Sequence, residues 1–279
     1  SMQIYKHMDI GTAKVRKDEM KGIPHHMIDI ISPDEGFTVS DFKHMAKRHI
    51  GEINEKGKLP IVVGGTGLYV NSLVYNLDFA EIPPNEDLRS EYESLIEQFG
   101  KNYLHERLMK IDPISGEKIS LKDKKRTMRA LEIYDSTGKT MSEHNKNFRV
   151  MNEDYNLVYI ALNMDRSQLY ERINHRVDAM FESGLVDEVK SILEMGYSPD
   201  LVALKAIGYK EIIMYLENQI TLEEAIELIK KGSRNYAKRQ LTWFRRDKRI
   251  KWINIDEYDN NIDVCNYISN YIVENLTID

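Results

Sequence analysis

The sequence predicts an α/β fold in which helices flank a small parallel sheet and form long excursions from it. A β-branched run at residues 59–63 stops at the glycine turn 64–67, and residues 68–74 then have helical character. Two further strands are predicted at residues 157–162 and 250–255, and most of the intervening chain has helical periodicity. Strands separated by long helical stretches are typical of parallel sheets.

Several helix starts follow from capping patterns. Asp165 stands three residues before Gln168 and predicts a helix that begins there. Thr221 and Glu224 have the spacing of a capping box, in which each side chain accepts from the other residue's backbone N–H. Asn85 or Asp87 is predicted to cap a third helix.

The composition excludes several classes of protein. The chain has 279 residues, 42% of them hydrophobic and 30% charged, which argues against disorder. No apolar run approaches the roughly 18 residues that a membrane helix needs. The single cysteine, Cys265, excludes an intrachain disulfide framework and a cysteine-cluster zinc site. These features fit a reducing, cytoplasmic setting.

The formal net charge of −6 conceals two basic segments. Residues 230–251 contain ten Lys and Arg against one acid, and residues 101–129 contain nine against four. Such segments can form a surface for a polyanion within an acidic protein. Solvated helix faces explain the same composition equally well.

Three groups are candidates for binding anions. In the turn Gly64-Gly65-Thr66-Gly67, small residues allow close backbone approach and the Thr66 hydroxyl can donate, although a turn without a ligand explains the pattern equally well. Arg172 and Arg176 are four residues apart on the helix opened by Asp165, a spacing that suits a diphosphate. Surface ion pairs with Glu171 or Asp178 are the alternative.

The third group is residues 238–245, which combine cations, an amide and aromatic rings on one predicted helix. Tyr236, Gln240 and Trp243 lie along one face, with cations beside it. Such a surface can bind phosphates and stack a base. The aromatic face can equally be the buried face of an amphipathic helix, and both interpretations can hold together.

Two other motifs do not predict sites. Gly138-Lys139-Thr140 lacks the earlier glycine of a phosphate loop and follows a helix, so Gly138 is predicted to end that helix. His25 and His26 are adjacent and have no second histidine or carboxylate at helical spacing, so a structural role is favoured over a metal site.

Taken in order, the motifs resemble the tRNA dimethylallyltransferases, also called tRNA isopentenyltransferases, of the bacterial type. The resemblance covers nearly the whole chain. The segments that carry it are residues 1–14, 23–30 (Ile-Pro-His-His-Met-Ile-Asp-Ile), 61–69, 126–132, 136–143, 172–176 (Arg-Ile-Asn-His-Arg), 206–209 (Ala-Ile-Gly-Tyr) and 238–243 (Lys-Arg-Gln-Leu-Thr-Trp).

The resemblance implies a fold like that of phosphate-loop NTPases. Residues 1–90, 150–177 and 226–279 would form the core, and residues 91–149 and 178–225 would be helical excursions that contact tRNA. The family's first strand, its phosphate loop and its general-base aspartate are absent from the given chain. We expect the natural protein to contain them and the phosphate loop to provide the contact to Mg²⁺.

The resemblance further implies transfer of a dimethylallyl group from dimethylallyl diphosphate to N6 of adenosine 37 in the anticodon stem-loop of tRNA. Arg176, helped by Arg172, would stabilise the departing diphosphate with Mg²⁺, and Thr66 would line the reaction channel. A monomer is expected. The residues implied to contact tRNA are Ser1, Met2, Gln3, Arg89, Lys125, Arg126, Arg129, Lys205, Gly208, Tyr209, Lys210, Lys238, Arg239, Gln240, Trp243 and Arg245.

Two alternative functions remain at this point. An adenylate isopentenyltransferase or a small-molecule kinase would share the core but act on a free nucleotide, which does not need two basic segments. A non-catalytic RNA-binding relative would keep those segments and lack the phosphate loop.

Overall fold

The computed structural model describes residues 1–77, 85–147 and 150–276. The chain divides into two compact units. The first comprises residues 1–70 and 155–279, and the second comprises residues 71–154. The predicted excursion 91–149 falls within the second unit, whereas the predicted excursion 178–225 falls within the first.

The first unit contains a two-stranded parallel sheet together with helices. Strand β1 (Ile160–Asn163) pairs with β2 (Lys251–Asn254) in parallel, with Ile160 opposite Lys251 and Asn163 opposite Asn254. Both strands overlap the predicted ones, β1 at residues 160–162 and β2 at residues 251–254, and both are shorter than predicted. The helices with residues in this unit are α1 (Val39–Glu55), α2 (Gly67–Val74, which continues into the second unit), α8 (Arg166–Glu182), α9 (Leu185–Glu194), α10 (Tyr209–Leu216), α11 (Leu222–Phe244) and α12 (Asn261–Asn275).

The strand predicted at residues 59–63 is not formed. Within the described part of the chain these residues have no ladder partner, and Ile61 and Val63 are 70% and 89% exposed. A strand exists only when a second strand satisfies its backbone N–H and C=O groups. The β-branched sequence therefore forms no strand among the described residues, because propensity cannot replace that partner.

Helix starts agree closely with the capping patterns. The Asp165 side chain accepts from the backbone N–H groups of Ser167 and Gln168 at the start of α8. Thr221 and Glu224 form the predicted capping box of α11. Of the two predicted caps for the helix Glu86–Phe99 (α3), Asn85 holds the position and accepts from the Leu88 N–H.

The core of the first unit lies beneath the N-terminal segment, which we define as residues 1–31. Met8 from this segment is fully buried against Leu185 and Val189 of α9 and Ile212 of α10. The N-terminal segment itself contains one short 3₁₀ turn, Met2–Ile4, and a single parallel bridge between Tyr5 and Ile31. Its position therefore depends on tertiary contacts.

The second unit is helical. It contains α3 (Glu86–Phe99), α4 (Tyr103–Ile111), α5 (Pro113–Lys118), α6 (Lys124–Thr137) and α7 (Met141–His144). Its core is formed by Tyr92, Leu104, Leu108 and Leu131, all of them almost fully buried. Gly138 ends α6 in the left-handed conformation, with φ of 70°, as predicted from its position after the helix.

None of the helices in the described ranges is both long enough and apolar enough to cross a lipid bilayer.

Candidate active site

The glycine turn before α2 is held by the last turns of α11. The Gln240 Nε2 donates to the Gly65 carbonyl at 3.0 Å. A Cβ atom at Gly65 would overlap the Gln240 amide, and one at Gly67 would overlap the Trp243 indole. These glycines are therefore required by close packing, and the Gln240 and Trp243 side chains of α11 are directed toward the turn.

The Thr66 side chain lies between these two glycines. The backbone carbonyl of Thr66 accepts the first hydrogen bond of α2, from the Val70 N–H at 3.1 Å. The Thr66 hydroxyl donates to Ser1 Oγ at 3.0 Å. The residue is half-buried. The turn thus places the Thr66 hydroxyl beside the start of the N-terminal segment.

Three cations at and just after the C-terminal end of α11 are directed to solvent. Lys238, Arg239 and Arg245 are exposed, and the Arg239 guanidinium lies 5.7 Å from the centre of the Tyr236 ring. Gln240 and Trp243 are packed against the glycine turn, as the buried-face interpretation predicts, whereas Tyr236 is 38% exposed. The binding interpretation stays a prediction, for which the exposed cations are available.

Arg172 and Arg176 are both exposed on α8. At 1.5 Å per residue they lie about 9 and 15 Å along the helix from its first residue. In the described part of the chain, no carboxylate pairs with either guanidinium. Asp178, the alternative partner that the sequence offers, pairs with Lys230 at 2.7 Å. The two arginines therefore do not form the predicted surface ion pairs with Glu171 or Asp178.

Gln3 is held by the backbone of its own segment. Its Nε2 donates to the carbonyls of Thr12 and Ala13 at 3.2 and 2.8 Å. Since an amide nitrogen has two hydrogens, both are used, and the Oε1 atom is the part left to meet a ligand. Met2 is half-buried against the core of the first unit.

Residues 205–210 span the turn before α10 and the first two residues of that helix. Gly208 has φ of 101°, which a side chain rarely tolerates, and its N–H donates to Glu211 at 2.8 Å. Lys205 and Lys210 are exposed and pair with Asp200 and Glu211 at 3.7 and 3.4 Å.

Tyr209 is fully buried, and its hydroxyl donates to Glu188 at 2.6 Å. Burial, together with the neighbouring Glu188 charge, raises the pKa of the Tyr209 hydroxyl far above its usual range. In this structure the Tyr209 side chain contacts protein, so its part in tRNA binding can only be to support other residues. Glu188 was missed from the sequence because an acid in the first turn of a helix is common.

In the second unit, a buried carboxylate organises two of the predicted tRNA-binding arginines. Glu132 has no exposed side-chain surface, and it pairs with Arg89 at 3.1 Å and with Arg129 at 2.5 Å. The Asn85 N–H also donates to it. Burial alone would raise the pKa of Glu132, but the hydrogen bonds from Arg129, the Asn85 backbone and Arg89 hold it below its usual value.

The outer surface of α6 carries the other two predicted residues. Lys125 is exposed, and Arg126 is exposed with a long contact of 3.4 Å to Asp123. Neither is enclosed by the protein, so both remain available to an anion. Sequence patterns had identified these cations but had not identified Glu132 behind Arg89 and Arg129.

The described residues offer no metal centre. Across residues 1–77, 85–147 and 150–276, no three His, Cys, Asp or Glu side chains come together in a group that could hold an ion. His25 Nδ1 contacts the Ile23 carbonyl at 2.8 Å, and the His26 ring stacks on His49 with centroids 4.4 Å apart. The structural role predicted for the two adjacent histidines fits these contacts.

Comparison with known proteins shows which family this chain resembles. The family model described as IPP transferase matches residues 3–247. The tRNA dimethylallyltransferase of Alkaliphilus oremlandii (strain OhILAs) is 48% identical over 267 residues, which cover 95% of this chain and 85% of that protein.

Two solved structures are also similar. The full-length tRNA isopentenylpyrophosphate transferase of Bacillus halodurans is 44% identical, with a TM-score of 0.69 and coverage of 99% of this chain and 87% of that one. A eukaryotic dimethylallyltransferase acting on tRNA is 29% identical, with a TM-score of 0.81 and coverage of 100% and 73%. The predicted α/β fold class is confirmed by these neighbours and by the parallel sheet. On this evidence, the chain belongs to the IPP transferase family.

Proposed function

We propose that this protein transfers a dimethylallyl group from dimethylallyl diphosphate to N6 of adenosine 37, beside the anticodon of a tRNA. The observation that carries the proposal is the pair Arg172 and Arg176, two exposed guanidinium groups on one helix face that have no carboxylate partner among the described residues. The two relatives described above, a tRNA dimethylallyltransferase and a dimethylallyltransferase acting on tRNA, support the same activity.

The chemistry requires a group that stabilises negative charge. The allylic C–O bond breaks, the diphosphate leaves with the electron pair, a C–N bond forms to the exocyclic amine, and the amine loses a proton. Because charge on the diphosphate is greatest as the C–O bond breaks, guanidinium groups aimed at it lower the barrier. We assign this role to Arg176, with Arg172 assisting.

Mg²⁺ is proposed as the cofactor that neutralises the diphosphate when bound. The described residues do not fit a protein-held metal site, because they bring no cluster of three ligating side chains together. The residues named here act by hydrogen bonding, charge and position.

The tRNA would meet the exposed cations. Lys238, Arg239 and Arg245 line the free face of α11, and Lys125 and Arg126 line that of α6. An amine that is stacked in the anticodon loop becomes reachable when its base is flipped out of the stack. We propose that Gln3 Oε1 accepts from the flipped base and that Thr66 lines the channel where adenine meets the allyl carbon.

The remaining predicted contacts are proposed in two roles. Gln240 and Trp243 hold the turn that carries Thr66, and Tyr209 and Gly208 shape the segment before α10. The other contacts are proposed directly to the RNA: Ser1, Met2, Arg89, Arg129, Lys205 and Lys210. The monomeric state stays a prediction.

Steady-state kinetics of Arg176→Ala in the full-length enzyme tests the proposal. Turnover should fall about 10²–10³-fold, the usual effect of removing one group that stabilises transition-state charge. The Michaelis constant for dimethylallyl diphosphate should rise less than turnover falls, because the lost interaction is strongest in the transition state. Arg172→Ala should have a smaller effect.

Arg166→Ala is the matched control. Arg166 is an exposed arginine on the same helix whose guanidinium lies 5.2 Å from the centre of the Tyr170 ring. This variant should keep wild-type kinetics and the same melting temperature as Arg176→Ala. Wild-type turnover in Arg176→Ala would show that the arginine pair is a surface feature without a catalytic role.

A further inference from the structure

We infer that Glu188 is a positioning residue for the base-binding group Gln3, acting through the backbone of residues 9–13. This inference rests on the proposed function, because it concerns how the site assigned to adenosine is held in place. Glu188 itself has no part in the chemistry.

The Glu188 carboxylate gathers four donors. Its Oε2 accepts from the N–H groups of Asp9 and Ile10 at 2.9 and 2.6 Å, and its Oε1 accepts from the Gly11 N–H at 3.0 Å and the Tyr209 hydroxyl at 2.6 Å. Three successive backbone N–H groups form a concave site for an anion, and here a side chain of the protein fills it. Hydrogen bonds to an ionised acceptor are the strong kind.

The fit around this carboxylate is close. A Cβ atom at Gly11 would lie 2.5 Å from the Tyr209 ring, so the backbone touches the aromatic face. Tyr209 is fully buried and Gly208 before it has a left-handed backbone. Turn 9–11 is thus fixed from α9 and from α10 together.

The held turn leads directly to Gln3. The next two residues, Thr12 and Ala13, present the carbonyls that receive the Gln3 Nε2. Because both carbonyls are hydrogen-bond acceptors, the donating Nε2 of Gln3 must face them. The Gln3 Oε1 is therefore directed away from these carbonyls. A shift of turn 9–11 would move both carbonyls and with them the orientation of the acceptor atom.

The segment also needs external support. Five non-glycine residues within it have positive φ: His7, Ala13, Lys21, Met27 and Asp29. Each such residue costs about 1–2 kcal/mol and persists where its surroundings over-determine it. Lys14, whose side chain is 6% exposed, ties Asp9 and Asp29 together inside the segment, whereas Glu188 connects the segment to α9.

A double-mutant cycle with Glu188→Gln and Gln3→Ala in the full-length enzyme tests the inference. The quantities measured are kcat/KM for an anticodon stem-loop RNA, the KM for dimethylallyl diphosphate, and the melting temperature. Glu188→Gln should lower kcat/KM for the RNA about tenfold and leave the diphosphate KM within about twofold. In the Gln3→Ala background, Glu188→Gln should lower kcat/KM by less than about twofold, while its effect on melting temperature persists.

Two further variants support the cycle. Asp187→Asn is the matched control, because this neighbouring acid is 84% exposed and contacts Lys190 at 3.7 Å; it should behave as wild type. Tyr209→Phe removes one of the four donors and leaves the three N–H groups, so it replaces Glu188→Gln in the cycle if that variant does not fold. The loss of kcat/KM in Tyr209→Phe should be smaller than in Glu188→Gln, and it should likewise disappear in the Gln3→Ala background.

The outcomes distinguish a failure of the inference about Glu188 from a failure of the proposed function. If the wild type is active and Glu188→Gln lowers kcat/KM equally in both backgrounds, Glu188 is only structural and the inference is overturned. If the wild type transfers no dimethylallyl group, the proposed function fails, and the same cycle measured on stem-loop affinity then decides the inference. A protein that binds no stem-loop RNA overturns both.

Discussion

Replacing Glu132 with alanine should destabilise the second unit by about 3 kcal/mol. Removing one member of a buried ion pair costs about 3–5 kcal/mol, because the remaining charge loses its partner. The Arg89 and Arg129 side chains are 36% and 31% exposed, so both guanidinium groups can regain water, which places the expected cost at the low end. The backbone N–H of Asn85 also loses its acceptor.

Hydrogen exchange followed by mass spectrometry is the suitable assay. Both tryptophans, Trp243 and Trp252, lie in the first unit, so their fluorescence would report on the wrong part of the molecule. Exchange of the α3 and α6 amides reads the free energy of opening of the second unit directly. A loss of about 3 kcal/mol accelerates that exchange roughly a hundredfold.

Glu86→Ala is the matched control, since Glu86 contacts the same Arg89 at 3.3 Å but is 79% exposed. It should change the free energy of opening by no more than about 0.5 kcal/mol, as is usual for surface pairs. If Glu132→Ala and Glu86→Ala accelerate exchange equally, the buried carboxylate does not hold this unit together. Exchange in α8 and α11 should be unchanged in both variants.

Three other results are expected. Gly67→Ala should lower the free energy of unfolding of the first unit by about 1–3 kcal/mol, because the new Cβ overlaps the Trp243 indole. Gly64→Ala is the control and should change that free energy by under about 0.5 kcal/mol, because nothing lies within 4 Å of its Cβ. Equal tryptophan-fluorescence melting curves for the two variants would contradict the packing argument. Because the folded-state pKa of Glu132 is lowered, its contribution to the stability of the second unit is present above the unfolded pKa of about 4.3 and is lost as the pH falls below that value. Hydrogen exchange of the α6 amides, corrected for the intrinsic exchange rate, should show this loss of stability in the wild type. The Glu132→Gln variant should not show it. Reversing Lys238 and Arg245 to Glu should weaken stem-loop binding and reduce the salt dependence of log Kd by about one per cation, with the KM for dimethylallyl diphosphate unchanged; an unaltered RNA affinity would remove α11 from the RNA-binding surface.

The local features of this protein were determined by its sequence. Caps such as Asp165 and Thr221, and the helix end at Gly138, follow from hydrogen bonds between residues two to four apart, so the pattern of residue types is sufficient to place them. The order of motifs along the chain was sufficient for the family. The four-residue spacing of Arg172 and Arg176 was sufficient to place them on one helix face.

Other features were decided only in the tertiary structure, because they depend on residues far apart in the chain. Residues 59–63 have the composition of a strand but have no ladder partner in the part of the chain that the structure describes, and a ladder needs a second strand. Glu132 and Glu188 look like ordinary surface acids until folding places donors around them from 43 and 179 residues away. A carboxylate acquires such a role from the geometry of its partners, and no local pattern encodes that geometry.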